Sequence, residues 1–254
     1  MATALISCLQ GKKSIASIIA SGTNAKSLRK IKIQFKIRIT AYNKEAIKNS
    51  DIVFICVKPQ DIDSVLNEIK HSIKGQLIVS IVAGISLRHI EGILKNKRII
   101  RVMPNINCIV SEMAAGFCAG KYATNKDIKN VAEILDYMGA SLLLREDLLD
   151  AVTAISGSGP AFFAYFIKAF EKAGVRNGLS KEAAFILASK TAFGTAKLLI
   201  EKRLSYDDLI RMVASKKGTT SAGMNILQKN KVNSILIKTI NAAIRRGREI
   251  RKGK

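Results

Sequence analysis

Two short stretches hold the residues best suited to chemistry. Residues 150–160 run Asp-Ala-Val-Thr-Ala-Ile-Ser-Gly-Ser-Gly-Pro, and residues 213–223 run Val-Ala-Ser-Lys-Lys-Gly-Thr-Thr-Ser-Ala-Gly. Each sets glycines and small hydroxyls just ahead of a helical pattern. A helix N-terminus offers unpaired N–H groups to an anion, and glycine lets a ligand approach the backbone closely. Ser215 and Thr219 have a second reading, as caps for a helix near 220–229. The chain's three prolines fall in turns. Pro59 closes Val57-Lys58-Pro59 after one strand pattern, Pro104 lies in Met103-Pro104-Asn105 after another, and Pro160 starts a helix as its first residue. Val82-Ala83-Gly84 follows a third strand pattern. Such turns place backbone where a flat ring or a ribose can lie.

Composition excludes other chemistries. The two histidines, His71 and His89, lie outside every glycine-rich or hydroxyl-rich motif. Cys8, Cys56, Cys108 and Cys118 form no C-x-x-C pair, so no metal site is expected. A histidine-dependent hydrolase or a zinc enzyme has little to work with. No apolar run reaches the ~18 residues of a membrane span, and no basic n-region precedes the first apolar residues, so a cytoplasmic location and no membrane partner are expected. The net charge of +23 attracts polyanions. Its basic residues are spread along the chain, densest at Arg245, Arg246, Arg248, Arg251, Lys252 and Lys254, and no nucleic-acid motif accompanies them. A specific nucleic-acid partner is not expected.

Positioning falls to two kinds of element. Buried strands are predicted at 14–20, 52–57, 77–82 and 98–102, with shorter ones at 116–119 and 141–144. Helices are predicted at 25–35, 60–73, 86–95 and 126–138. Continuous apolar runs between amphipathic helices indicate a doubly wound parallel sheet, with ligands at its carboxyl edge. Strand signals stop near Glu146. Helices are predicted at 160–173, 181–201, 205–214, 220–229 and 231–249, and segments 161–167 and 183–199 are apolar nearly all round. Such helices need cover on every side. The expectation is a helical homodimer or larger homo-oligomer; one central helix in a monomer is the alternative. The expected domains are 1–146, Rossmann-like and dinucleotide-binding, and 147–254, all-helical, for dimerisation and substrate.

Ala2, Leu5, Ile6 and Leu9 already have helical spacing. A Rossmann unit opens with a strand and a Gly-x-Gly turn before its first helix. The true start is therefore expected roughly eight to ten residues upstream of Met1, a stretch that this strand and loop would fill. Without them, neighbouring strands lack partners and the first half should fold and bind dinucleotide weakly.

In order and spacing, Val57-Lys58-Pro59, Ala83-Gly84, Met103-Pro104-Asn105, Thr153-x-x-Ser156-Gly157-Ser158-Gly159-Pro160 and Gly218-Thr219-Thr220 resemble the pyrroline-5-carboxylate reductase family. The resemblance runs from about residue 1 to 245. It implies hydride transfer from NAD(P)H to 1-pyrroline-5-carboxylate, giving L-proline. It also implies that Asn43 meets the adenosine side of the cofactor, that Cys56, Val57, Lys58, Pro59, Ile81, Val82 and Ala83 line the dinucleotide, and that Asn105 sits near the nicotinamide. Ser215, Gly218, Thr219 and Thr220 would hold the substrate, with Ser215 and Thr220 as the catalytic candidates. Asn43 has a second reading as a helix cap. No acidic residue occurs in Ser21-Gly22-Thr23-Asn24, where one would accept the ribose hydroxyls of NAD. Ser21 with nearby Lys26 suits a 2′-phosphate, which favours NADPH and leaves NADH open. One departure stands out: the family usually has Ser-Pro-Gly-Gly before its threonines, and here the residues are Ser215-Lys216-Lys217-Gly218. A proline is also common where Ser205-Tyr206 stands. The alternative is a catalytically impaired relative kept as a dimeric binding protein.

Overall fold

The computed structural model describes residues 1–251; Lys252 and Lys254 of the basic tail lie outside the described residues. The chain forms two compact units. The first comprises residues 1–158 together with the end of the last helix, from Ala243 on. The second comprises residues 159–242.

The first unit alternates helices and strands. In chain order they are α1 (Ala2–Leu9), β1 (Ile19–Ser21), α2 (Ala25–Phe35), β2 (Arg38–Thr40), α3 (Asn43–Lys48), β3 (Ile52–Ile55), α4 (Ile62–Ile69), β4 (Leu77–Ser80), α5 (Leu87–Ile93), β5 (Ile99–Met103), β6 (Met113–Ala119), α6 (Asn125–Asp136), β7 (Gly139–Leu143) and α7 (Leu149–Val152). Among the described residues the strands form two hydrogen-bonded pieces, a pair β1-β2 and a five-stranded sheet in the order β3-β4-β5-β6-β7. Every pairing is parallel except β5 with β6.

The alternation of strand side chains divides the core. Val79, Ile100, Val102 and Phe117 face one cluster, closed by Leu5, Leu9, Val131, Leu135 and Met138 from α1, α6 and the turn after α6. Ile78, Ile99 and Cys118 face another, closed by Ile47, Leu66, Ile69, Ile90 and Leu149. Burying each such side chain contributes about 1.5–3 kcal/mol. The Thr124–Asp127 capping box starts α6. Buried Asp127 also receives Arg98 at 2.6 Å.

Several expectations need correction. The run at 14–20 becomes strand only from Ile19. Ile15 and Ile18 instead pack from a loop against the first cluster. The strand expected at 116–119 begins at Met113 and runs antiparallel to β5, so the sheet is mostly rather than wholly parallel. β2 was not expected, and α3 only as the helix that a capping Asn43 would begin. β2 is short and basic, and Lys36 ends α2 with φ 52, which hides the break inside a lysine-rich stretch.

The second unit is helical: α8 (Gly159–Arg176), α9 (Lys181–Lys202), α10 (Tyr206–Val213), α11 (Thr219–Lys229), and most of α12 (Val232–Arg251). α8 and α9 approach closely near Gly174, where a Cβ would lie 3.1 Å from Ala184 Cβ. Elsewhere apolar side chains stand open: Phe163 is 68% exposed, and Phe170, Phe185, Phe193 and Ile200 are exposed as well. α9 is long and apolar enough to cross a bilayer by length and composition alone. Lys190 and Lys197 break the continuous run in the sequence, yet the most apolar 18-residue stretch of the helix keeps a mean hydropathy of 1.4.

Candidate functional site

In the first unit, specific bonds fix the turns at the carboxyl ends of four strands. β1 ends at Ser21, whose Oγ–H donates to Asn43 Oδ1 at 2.8 Å. Asn43 Nδ2 donates to Glu68 Oε2 at 2.8 Å. One amide thus joins β1, α3 and α4. Asn43 is the first residue of α3; Tyr42 is the N-cap, so the capping alternative for Asn43 is not what the chain does. Capping after β1 belongs to Asn24, which accepts the Ser27 N–H at 2.9 Å. The first turn of α2 contains no acidic residue.

The turn after β3 runs Cys56 to Pro59, where Pro59 opens a 3-10 turn into α4. Burial pushes the Cys56 thiol up from 9.0 to about 12, so it lines this edge as a neutral group. The turn after β4 is aligned with it by Ile81 N–H donating to Ile55 O at 3.1 Å. Gly84 completes that turn with φ +76, a conformation that costs a side-chain-bearing residue about 1 kcal/mol or more.

After β5, Asn105 is 5% exposed and bonds through both its amide oxygen and its amide nitrogen. Its Oδ1 accepts the Ala114 N–H at 3.3 Å, and its Nδ2 donates to Ser156 O at 3.2 Å. Ser156 Oγ–H donates in return to Ala114 O. The Met-Pro-Asn turn, the start of β6 and the Ser-Gly-Ser-Gly segment therefore form one knot. Residues Thr153–Gly157 make a single π turn there, closed by Ser158 N–H to Thr153 O at 2.9 Å. Such turns are rare and concentrate at functional sites. Gly157 lies within it, where a Cβ would meet Met103 Cε at 3.0 Å. Pro160 is the second residue of α8 rather than its first.

In the second unit, residues 214–218 lead into α11. Ser215 O accepts both the Gly218 N–H at 3.0 Å and the Ser221 hydroxyl at 2.7 Å. A Cβ at 218 would meet Ser215 Oγ, so the serine hydroxyl would have to turn away to admit a side chain there. Gly218 is the N-cap of α11 and no side chain caps it, so neither Ser215 nor Thr219 caps this helix. The first-turn N–H groups are left available to a ligand. Ser215 and Thr219 are exposed and Thr220 is half-buried. Lys217 has φ 61. It stands where the resemblance expects a permissive glycine.

Comparison with known proteins decides the family. Residues 146–250 match the family model described as pyrroline-5-carboxylate reductase dimerisation. Residues 1–84 match that described as NADP oxidoreductase, coenzyme F420-dependent. The pyrroline-5-carboxylate reductase of Methanosarcina acetivorans is 36% identical over 93% of this chain and 88% of its own. That of Pseudomonas aeruginosa is 35% identical over 98% and 93%. The chain belongs to the pyrroline-5-carboxylate reductase family. The solved family member from Coxiella burnetii superposes with a TM-score of 0.92 at 28% identity, covering 98% of this chain and 94% of that one. The Plasmodium falciparum enzyme, solved with NADP bound, superposes with a TM-score of 0.87 at 28% identity, over 98% and 93%.

Within this family member, sequence reasoning missed an ion pair. Arg101, 2% exposed on β5, donates to Glu146 Oε1 at 3.0 Å. The same oxygen accepts the Leu87 N–H at 2.6 Å. Glu146 thereby fastens the exit of the sheet to α5 and the middle of β5. The available signal was an arginine inside the apolar run Ile99-Ile100-Arg101-Val102. Ser156 was seen only as part of a motif, and Glu68 was not singled out. Among the described residues, no group of three or more His, Cys, Asp and Glu side chains could hold a metal ion.

Proposed function

We infer that the protein reduces 1-pyrroline-5-carboxylate to L-proline with NADPH. The observation that carries this is the knot at Asn105. It joins the turn after β5 to the Ser-Gly-Ser-Gly segment at the carboxyl edge, where doubly wound sheets bind dinucleotides. The donor set suits NADPH. Backbone turns with small residues, Cys56 to Pro59 and Ile81 to Ala83, can lie against the dinucleotide. Ser21 and Asn43 suit the adenosine side, and Asn105 the nicotinamide end. The acid-free first turn of α2, with exposed Lys26, suits a 2′-phosphate. The bound reduced nicotinamide supplies the hydride. The chain's own task is to align two rings and exclude water, which needs no histidine.

On the substrate side, the uncapped first turn of α11 suits the carboxylate. Ser215, Gly218 and Thr219 would grip it. The Thr220 hydroxyl would hydrogen-bond the ring nitrogen and hold the proton there. The division of labour we propose is 1–146 for cofactor and 147–254 for dimerisation and substrate, supported by family matches at 1–84 and 146–250. Open aromatic side chains on α8 and α9 support a homodimer, working in the cytoplasm. The impaired-relative alternative is not favoured by 36% identity over nearly the whole chain. The test is spectrophotometric: NADPH absorbance should fall on addition of 1-pyrroline-5-carboxylate and stay level without it. No fall at saturating imine contradicts the proposal.

A further inference from the structure

The end of α12 does not stay with the helical unit. From Ala243 it packs with the sheet unit, and it meets the carboxyl edge at two points. Ile250 lies over Gly84, in the turn after β4. A Cβ at Gly84 would stand 3.0 Å from Ile250 Cγ2, tighter than ordinary contact, so the isoleucine, itself half-exposed, would have to shift to admit one. One residue further, Arg251 Nη2 stands 3.0 Å from Asp150 Oδ2, with Arg248 Nε at 4.0 Å. Asp150 is 6% exposed, and its Oδ2 has no hydrogen-bond partner among the described residues. The Arg251 approach is close in distance but not aligned as a hydrogen bond. Charge compensation of a buried carboxylate therefore comes from the tail guanidiniums, and removing them leaves a buried charge unpaired. Asp150 opens the segment whose π turn Asn105 grips.

We propose that Ile250 and Arg251 form a positioning strap, which fixes the Val82–Gly84 turn and the Asp150 segment against each other. This holds that wall of the cofactor site in shape. Neither residue touches the reacting atoms; Ile250 acts through the turn and Arg251 through the Asp150 segment. The strap rests on the reading of Val82 and Ala83 as cofactor-lining. The basic tail thereby gains a use distinct from general polyanion attraction. A rigid supporting layer of this kind is what keeps a site within its productive geometry.

The test uses the full chain and three variants, Ile250→Ala, Arg251→Gln and Arg251→Lys. Hydrogen–deuterium exchange of the amides of residues 82–87 reads the strap itself. NADPH affinity, read by fluorescence titration of the intact protein, reads its use. Exchange in that segment should quicken in Ile250→Ala and Arg251→Gln, while exchange at β4 and β5 stays unchanged. Kd and KM for NADPH should rise about five- to tenfold, with kcat and KM for the imine within about twofold. Arg251→Lys should recover most of the loss. Ile250→Ala leaves the buried charge paired, so it remains informative if Arg251→Gln folds poorly. Unchanged exchange at 82–87 overturns the strap. Faster exchange with unchanged NADPH affinity overturns its positioning role. If the unaltered protein fails to bind NADPH, the cofactor reading has failed, and the exchange data alone still say whether the strap exists.

Discussion

Thr220 and Lys217 bear the most direct consequences at the scale of single residues. If Thr220 holds the proton at the ring nitrogen, Thr220→Val should lower kcat/KM for the imine by about 10²-fold with NADPH affinity unchanged. Steady-state kinetics with each substrate varied in turn checks this, and an unaltered kcat/KM removes Thr220 from the chemistry. Lys217, at φ 61, carries a side chain in a conformation that favours glycine. Lys217→Gly should relieve the strain and, after the added freedom of the unfolded chain, stabilise the fold by about 0.5–1 kcal/mol. The midpoint of urea unfolding measures it. Cys56 lines the cofactor edge with its thiol pushed up to about 12 by burial. Folding favours its neutral form. That contribution to stability is intact below the ordinary value of 9.0 and is lost as pH rises toward 12. At pH 8 the thiol should therefore resist alkylation in the folded protein, and NADPH binding should survive prolonged exposure to iodoacetamide. Rapid labelling of Cys56, detected by mass spectrometry, contradicts this.

At the scale of elements, the knot between the ends of β5, the start of β6 and the π turn rests on Asn105. Asn105→Ala removes the partner of the Ala114 N–H and of the Ser156 carbonyl at part-buried positions. A net hydrogen bond is worth about 0.5–1.5 kcal/mol. A loss of about 1–3 kcal/mol in denaturant unfolding is expected, with weaker NADPH binding. The Arg101–Glu146 pair, buried at the arginine and half-buried at the glutamate, follows the same logic. Glu146→Gln leaves a guanidinium that is 3% exposed without its counter-charge and should cost about 3 kcal/mol. Much of this arrangement was legible beforehand, because strand periodicity and the Pro59, Gly84 and Pro104 turns are local signals. Long-range bonds were not. Nothing in the spacing of Ser21, Asn43 and Glu68 says that one amide bridges the other two. The antiparallel turn of β6 was hidden because an apolar run looks alike in either direction. Asn43 and Ser215 looked like caps, since cap chemistry is common to many polar residues. Here Tyr42 and Gly218 hold those positions instead.

For the molecule as a whole, the exposed aromatic surface of α8 and α9 matters most. Phe163, Phe170, Phe185 and Phe193 stand open along helices whose family match is a dimerisation region. Covering a phenylalanine contributes about 1.5–3 kcal/mol, so several together suffice for a tight dimer. Phe170→Glu should shift the sedimentation equilibrium toward monomer and lower activity in proportion. A variant that stays dimeric with full activity places the interface elsewhere. This level of organisation was visible early, because helices apolar on every side announce a need for cover. The central claim is that this chain transfers hydride to a cyclic imine. Stopped-flow or steady-state absorbance of NADPH, with the purified protein and 1-pyrroline-5-carboxylate, tests it most directly. Consumption of NADPH that requires the imine and yields proline in equal amount is the expected result; a folded dimer that binds NADPH yet leaves it unoxidised at saturating imine would contradict it.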